Sequence, residues 1–122
     1  MIEVSDEQFA KMVGKSMDLL AKQMEDVKNV GIVIADEPTP EQRIKLELRG
    51  NETLFGLYEG IPLTKRTNNY SGVLPDKITL FKLPLAWHAN DLKELQEEIH
   101  KTLWHELAHH FGLDHDRIHE LE

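Results

Sequence analysis

The chain has 122 residues, of which 40% are hydrophobic and 30% charged, and these values are typical of one soluble globular domain spanning 1–122. It contains no cysteine, which excludes disulfide bonds and thiolate metal sites, so any transition metal must be bound by His, Asp or Glu. The net charge of −8 argues against non-specific binding to nucleic acid or to an anionic membrane, because both need a basic surface.

Targeting and membrane signals are absent from the sequence pattern. No apolar run approaches the roughly 20 residues that a helix needs to cross a bilayer. The residues after Met1 are acidic and lack the basic-then-apolar order of a signal peptide. We therefore expect a cytoplasmic protein that does not associate with a membrane.

The first predicted elements are a long helix and a strand. Ser5 and Gln8 have the spacing of a capping box, and apolar residues follow them at helical spacing, which predicts an amphipathic helix over 6–26. The apolar, β-branched run 30–35 predicts a buried strand.

The next segment allows two interpretations. A second capping box begins at Thr39, with proline at the first helical position, and it favours a short helix over 40–48. Ile44, Leu46 and Leu48 nevertheless alternate with polar residues as they would in a strand. The helix is the preferred prediction, and the strand remains open.

Two further strands are predicted in the middle of the chain. The first covers 54–60 and continues through 61–63, and a polar loop over 64–75 follows it. The second covers 77–83, where apolar and polar residues alternate, and Pro84 is expected to end it near the edge of a sheet.

The last predicted element is a helix capped by Asp91. Its expected buried stripe comprises Leu92, Leu95, Ile99, Leu103, Leu107 and Phe111. The order of elements predicts an α+β fold, in which a small twisted sheet of three to four strands packs on the long N-terminal helix and on this C-terminal helix.

The C-terminal helix carries the pattern H-E-x-x-H-x-x-G-x-x-H, which begins at His105. His105 and His109 are four residues apart, so on a helix both rings project from one face and can bind one metal ion. Gly112 can end the helix in a left-handed conformation and turn the chain back. That turn can bring His115 to the same metal. Three protein ligands and one open position are typical of a catalytic zinc site.

Glu106 is the predicted general base, because it directly follows a predicted ligand and can take a proton from a metal-activated water. Zinc, as one ion, is the expected cofactor, since nitrogen ligands in a tetrahedral site suit it. His115 is the expected third ligand. Three nearby residues remain alternatives for that position, namely Asp114, Asp116 and His119.

Other histidines and the neighbouring tryptophan are expected to have structural roles. His110 lies about 100° around the helix from His109, which favours packing or support of the site over metal binding. Trp104 is expected in the core, and His88 and His100 at the flanks of helices.

Three stretches, 55–63, 74–81 and 105–112, are similar to those of the small bacterial zincin-like metallopeptidases, also called minimal zincins. The resemblance implies a reduced zincin fold with the metal in a cleft beside an edge strand. It also implies a peptide or protein substrate that pairs with that strand, here expected to be 77–83. Similar proteins often have an acidic residue where this chain has His115.

Two related patterns suggest alternative functions. The metzincins share the eleven-residue motif but add a methionine turn, and all four methionines of this chain lie in its N-terminal quarter.

Small rRNA-processing zinc endoribonucleases have H-G-x-x-H-x-x-G-x-D-H, with which Gly112, Asp114 and His115 are in register. They have Gly where this chain has Glu106, which favours peptide hydrolysis. The expected function is that of a zinc metallopeptidase; the alternatives are this nuclease and a non-catalytic metal-binding regulator. The substrate and the oligomeric state are not determined by the sequence.

Overall fold

The computed structural model describes residues 2–23, 30–45, 54–60 and 76–110. Within these ranges the chain forms four helices and a three-stranded mixed sheet. The elements in chain order are α1 (Asp6–Gln23), β1 (Val30–Ala35), α2 (Pro40–Lys45), β2 (Gly56–Glu59), β3 (Asp76–Phe81), α3 (Lys82–His88) and α4 (Leu92–His110). The predicted α+β class and the small sheet are confirmed.

Side-chain caps begin α1 and α2 where the sequence predicts them. The amide of Gln8 donates to Ser5 Oγ at 3.0 Å at the start of α1. At α2 the capping box is reciprocal: the Thr39 amide donates to Gln42 Oε1 at 2.9 Å, and the Gln42 amide donates to Thr39 Oγ1 at 3.1 Å. Of the two interpretations of this segment, the helix is therefore correct for the residues described.

Several predictions concern residues outside the described part of the chain. The predicted ends of the first two helices at 24–26 and 46–48 belong to this group. So do the continuation of the second strand and the polar loop, over 61–75, and everything from 111 to 122.

The sheet has the strand order β1-β3-β2, with β3 parallel to β1 and antiparallel to β2. The prediction that 77–83 forms an edge strand is therefore wrong, because β3 is hydrogen-bonded on both sides and its backbone is not free to pair with a substrate. The reason is visible in its burial: residues 78–81 are all buried, on both faces of the strand, as expected for a central strand.

The third strand is also shorter than predicted. It ends at Phe81, and Lys82 begins α3, so Pro84 is the third residue of a helix and does not terminate a strand. Proline is tolerated there because the first amides of a helix have no intrahelical acceptor. The neighbouring amide of Leu83 finds one outside the helix, in the carbonyl of Asp36 at 3.1 Å.

Helix α4 is the central element of the packing, since it contacts α1, α3, β2 and β3. It is capped by Asp91 Oδ1, which accepts from the Glu94 amide at 2.7 Å. Four of the predicted stripe residues have no exposed surface: Leu95, Ile99, Leu103 and Leu107. Leu92 departs from the prediction, because it lies in the first turn and is 46% exposed.

Helix α1 packs along α4 and is joined to it by polar contacts as well as by the core. The Gln96 side chain donates from Nε2 to the Met12 carbonyl at 2.8 Å and to Ser16 Oγ at 2.9 Å. The motif-bearing helix is thus held between α1 and the sheet. Among the described residues, no helix is both long and apolar enough to span a bilayer.

Candidate metal centre

The last two turns of α4 bring together a group of residues that could hold a metal ion: His105, Glu106 and His109. One donor atom from each lies within 4.8 Å of the others, and all three residues are partly buried. The two imidazole rings are in edge contact, with centroids 5.4 Å apart. This arrangement follows from the helix itself, because residues i and i+4 lie one above the other on the same face.

The Glu106 carboxylate is oriented by a backbone contact from another element. Its Oε1 accepts a hydrogen bond from the Tyr58 amide at 2.9 Å. Burial raises the pKa of Glu106 from its ordinary value of 4.5 to about 7, and the hydrogen bond from Tyr58 partly offsets that rise. A bound cation would favour the carboxylate form.

The Tyr58 amide points towards Glu106 because of the β2–β3 ladder. The Phe81 amide donates to the Phe55 carbonyl at 2.9 Å, so this pair is hydrogen-bonded across the two strands. In an antiparallel ladder such pairs alternate with pairs whose peptide groups point away from the partner strand. The register then places the peptide groups of Gly56 and Tyr58 on the outer edge of β2, away from β3. The site therefore lies beside β2, which is an edge strand among the strands described.

A cleft of about 590 Å³ lies beside the line along which β2 packs against α4. Its strand side consists of residues 54–58, and its helix side includes the three residues of the candidate metal group. Gly56 allows this close packing: a Cβ at this position would lie 2.7 Å from Thr102 Cγ2, so any side chain would push the helix and strand apart.

The donor set suits zinc. Two neutral imidazoles are good zinc ligands, and a third protein ligand with one open position would complete a catalytic site. The expected third ligand His115 and its alternatives Asp114, Asp116 and His119 lie outside the described residues. The side chain of His110 also lies outside them.

The remaining residues named from the sequence lie away from the metal group. Trp104 is partly buried and packs against the core, in agreement with its expected role. His88 is exposed at the end of α3, where its ring contacts Phe55 with centroids 5.3 Å apart. His100 is partly buried and lines a groove between α1 and α4.

A family model of zincin-like metallopeptidases matches residues 27–122. The match covers most of the chain and includes β1, β2, β3 and the whole of α4. The chain belongs to the zincin-like metallopeptidase family. Comparison with individually curated proteins gives no match. The resemblance noted in the sequence is confirmed, and membership of this family implies a zinc cofactor.

This zincin-like chain contains one site feature that the sequence analysis missed, namely the outer edge of β2 and the Tyr58 amide that contacts Glu106. A signal was present in the residue types. Ile78, Leu80 and Phe81 place apolar side chains on both faces of one strand, which indicates a central position, whereas Gly56–Glu59 includes both glycine and a charged residue. Comparing the two segments would have favoured β2 as the edge strand.

Proposed function

We propose that this protein is a zinc-dependent peptidase that hydrolyses a peptide or amide bond held beside β2. The observation that carries the proposal is the convergence of His105, Glu106 and His109, within 4.8 Å, at a cleft whose opposite wall is the outer edge of that strand. Membership of the zincin-like family supports the same reaction class.

Each residue has a distinct role in the proposed mechanism. His105 and His109 would hold the zinc ion, with His115 as the expected third ligand. Zinc bound there supplies Lewis-acid activation of a water molecule and of the substrate carbonyl. Glu106 accepts the proton of the attacking water and then delivers it to the leaving amine. The hydrogen bond from the Tyr58 amide fixes the carboxylate on the side that faces the cleft.

The expected substrate is a peptide in extended conformation that pairs with the outer edge of β2. The peptide group of Gly56 points away from β3 and lines the cleft, in the orientation that β-strand addition requires, while the outward amide of Tyr58 donates to Glu106. Main-chain hydrogen bonds would position the peptide bond without distinguishing one side chain from another. Selection among peptides would then depend on additional contacts to the side chains of the substrate.

The first test combines metal analysis with cleavage assays. Purified wild-type protein is expected to bind one zinc ion per chain and to cleave members of an extended-peptide library. Glu106→Gln is expected to keep its zinc and to lose about 100-fold or more of the activity, because general acid–base catalysis contributes at least that factor. Glu97→Gln is the matched control: Glu97 is an exposed carboxylate on the same helix and should be dispensable.

Other results would point to the alternative functions. Loss of zinc in Glu106→Gln would make Glu106 a ligand or a structural residue and not the base. Cleavage of RNA but not of peptides, measured in parallel, would identify a nuclease. Zinc binding without cleavage of either substrate would favour a non-catalytic metal-binding module.

The third ligand is tested by a separate variant. His115→Ala is expected to weaken zinc binding by about 10-fold or more, since the loss of a direct ligand should exceed the effect of losing a supporting contact. Normal zinc affinity in this variant would transfer the role to Asp114, Asp116 or His119, each of which can then be replaced by alanine in turn.

A further inference from the structure

A second depression, of about 760 Å³, lies next to the catalytic cleft at the start of β2. We call it the α3 depression, because helix α3 contributes half of the residues that line it. The larger apolar residues of its lining are Ile2, Val4, Phe55, Leu83, Pro84 and Trp87. The residues proposed for catalysis do not line it.

Two large apolar side chains of the α3 depression are unusually exposed. Trp87 has 70% of its surface exposed and Leu83 has 45%, and they lie one helical turn apart on α3. Neighbouring exposed apolar side chains of this size, beside a concave surface, are typical of a binding site. Exposing them to water alone is unfavourable, because their apolar surface remains hydrated.

The charges around the α3 depression balance in sign. Its lining includes two acidic residues, Glu3 and Glu37, and two basic residues, Arg43 and Lys82, so their formal charges cancel. The Lys82 ammonium is also paired, since its Nζ lies 2.6 Å from Asp6 Oδ1. Apolar contact, and not charge, is therefore the interaction that this surface offers.

Phe55 connects the α3 depression to the catalytic cleft, because its side chain lines both. Two contacts hold Phe55 in place: its carbonyl accepts a hydrogen bond from the Phe81 amide, and its ring contacts the His88 ring. Phe55 directly precedes β2 and lies three residues before Tyr58, which contacts Glu106. At about 3.3 Å per residue this separation is about 10 Å.

We propose that the α3 depression is a substrate subsite that binds a bulky apolar side chain about three or four residues from the scissile bond. This inference rests on the proposed peptidase function, because the peptide must lie along the outer edge of β2. A strand that pairs there and passes Glu106 reaches Phe55 after about 10 Å, and Phe55 borders the α3 depression beside His88 and Trp87. The main chain would then position the peptide, and the α3 depression would select it.

The cleavage test varies one substrate position at a time. Peptides carry Phe, Leu, Ala or Ser at the third and fourth positions on either side of the cleaved bond. Wild type is expected to prefer Phe or Leu over Ser at one of these positions by about 10-fold in kcat/KM, as partial burial of one apolar side chain allows. Trp87→Ala should remove that preference, because it lowers kcat/KM about 10-fold for the Phe peptide and by a smaller factor for the Ser peptide.

Two further variants make the cleavage result specific. Trp87→Phe retains an aromatic ring and should retain most of the preference. Leu19→Ala removes an apolar side chain of similar exposure, 47%, from α1 and should behave as wild type. The inference is overturned if wild type shows no apolar preference at these positions, or if Trp87→Ala keeps it.

A binding test separates this inference from the proposed reaction. The chain has two tryptophans, so Trp104→Phe combined with Glu106→Gln leaves Trp87 as the one tryptophan of an inactive protein. Adding the Phe peptide should shift the Trp87 emission to shorter wavelength as the ring becomes buried, and the Ser peptide should not. If wild type cleaves no peptide but Trp87 responds, the α3 depression binds an apolar peptide side chain and the peptidase proposal fails. If peptides are cleaved and Trp87 does not respond, the subsite fails alone; if neither occurs, both fail.

Discussion

The contact between β2 and α4 makes Gly56→Ala the most informative change to the fold. A Cβ at position 56 would lie 2.7 Å from Thr102 Cγ2 and 3.3 Å from both Leu80 Cδ2 and the Thr79 carbonyl oxygen. Ordinary contact begins near 3.4 Å, so the helix and the strand must separate by about 0.7 Å to accept the methyl group. Thr102 is buried and branched at Cβ, and it cannot swing aside as a long side chain could.

The expected loss of stability follows from two opposing terms. Inserting a methyl group into a packed core costs about 1–3 kcal/mol, while replacing glycine with alanine restricts the unfolded chain and stabilises by about 0.4–1 kcal/mol. We expect a net decrease of about 1–2 kcal/mol in the free energy of unfolding. The same separation would lengthen the hydrogen bond between the Tyr58 amide and Glu106, so activity should fall as well.

A double-mutant cycle with Thr102→Ser isolates the contact. Serine lacks the methyl group that the new Cβ meets, so Gly56→Ala should be at least about 1 kcal/mol less destabilising in the Thr102→Ser background. The free energies are measured by urea unfolding at equilibrium, with equal slopes as the check on two-state behaviour. The reasoning would be refuted if Gly56→Ala were as stable as wild type. It would also be refuted if the loss of unfolding free energy in the double mutant equalled the sum of the losses in the two single variants.

Three further predictions concern the helix that carries the site. Leu107→Ala should lower the free energy of unfolding by about 2–5 kcal/mol, because this side chain is fully buried. Leu92→Ala should change it by less than about 0.5 kcal/mol, because Leu92 is 46% exposed. Similar effects of the two substitutions would contradict the observed burial. Asp91→Ala should cost about 1 kcal/mol by removing the cap on the Glu94 amide, and Asp91→Asn should restore most of it, again by urea unfolding. A chelator should lower the Tm of wild type, and zinc at 100 times its Kd should raise the free energy of unfolding by about 2.7 kcal/mol. His105→Ala should respond to neither addition. An unchanged wild-type Tm in calorimetry would argue against a specific site.

Sheet order has a direct consequence for the proposed peptidase function. With β3 in the centre, the described edge strand that borders the candidate metal group is β2, which is only four residues long, Gly56–Glu59. So short an edge offers few main-chain hydrogen bonds, and affinity must come partly from side chains. The exposed apolar surface at Leu83 and Trp87 lies where such additional contacts could form.

The local features of this protein were predictable from its sequence, because each depends on residues within a few positions of one another. The helical position of His105 and His109, the caps at Ser5, Thr39 and Asp91, and the buried stripe of α4 are all of this kind. A helix places residues four apart on one face whatever else the chain does, so the candidate metal group was predictable from spacing alone.

The tertiary structure decided which strand borders that group. Strand order depends on pairing between segments far apart in the chain, and on which of them gains more by burial on both faces. Ile78–Phe81 gains more, so β3 takes the centre and β2 is left with an open edge. That arrangement supplies the Tyr58 amide to Glu106 across 48 residues of sequence, a contact that no local pattern predicts. The candidate metal group is thus encoded locally, and the strand that borders it is a property of the fold.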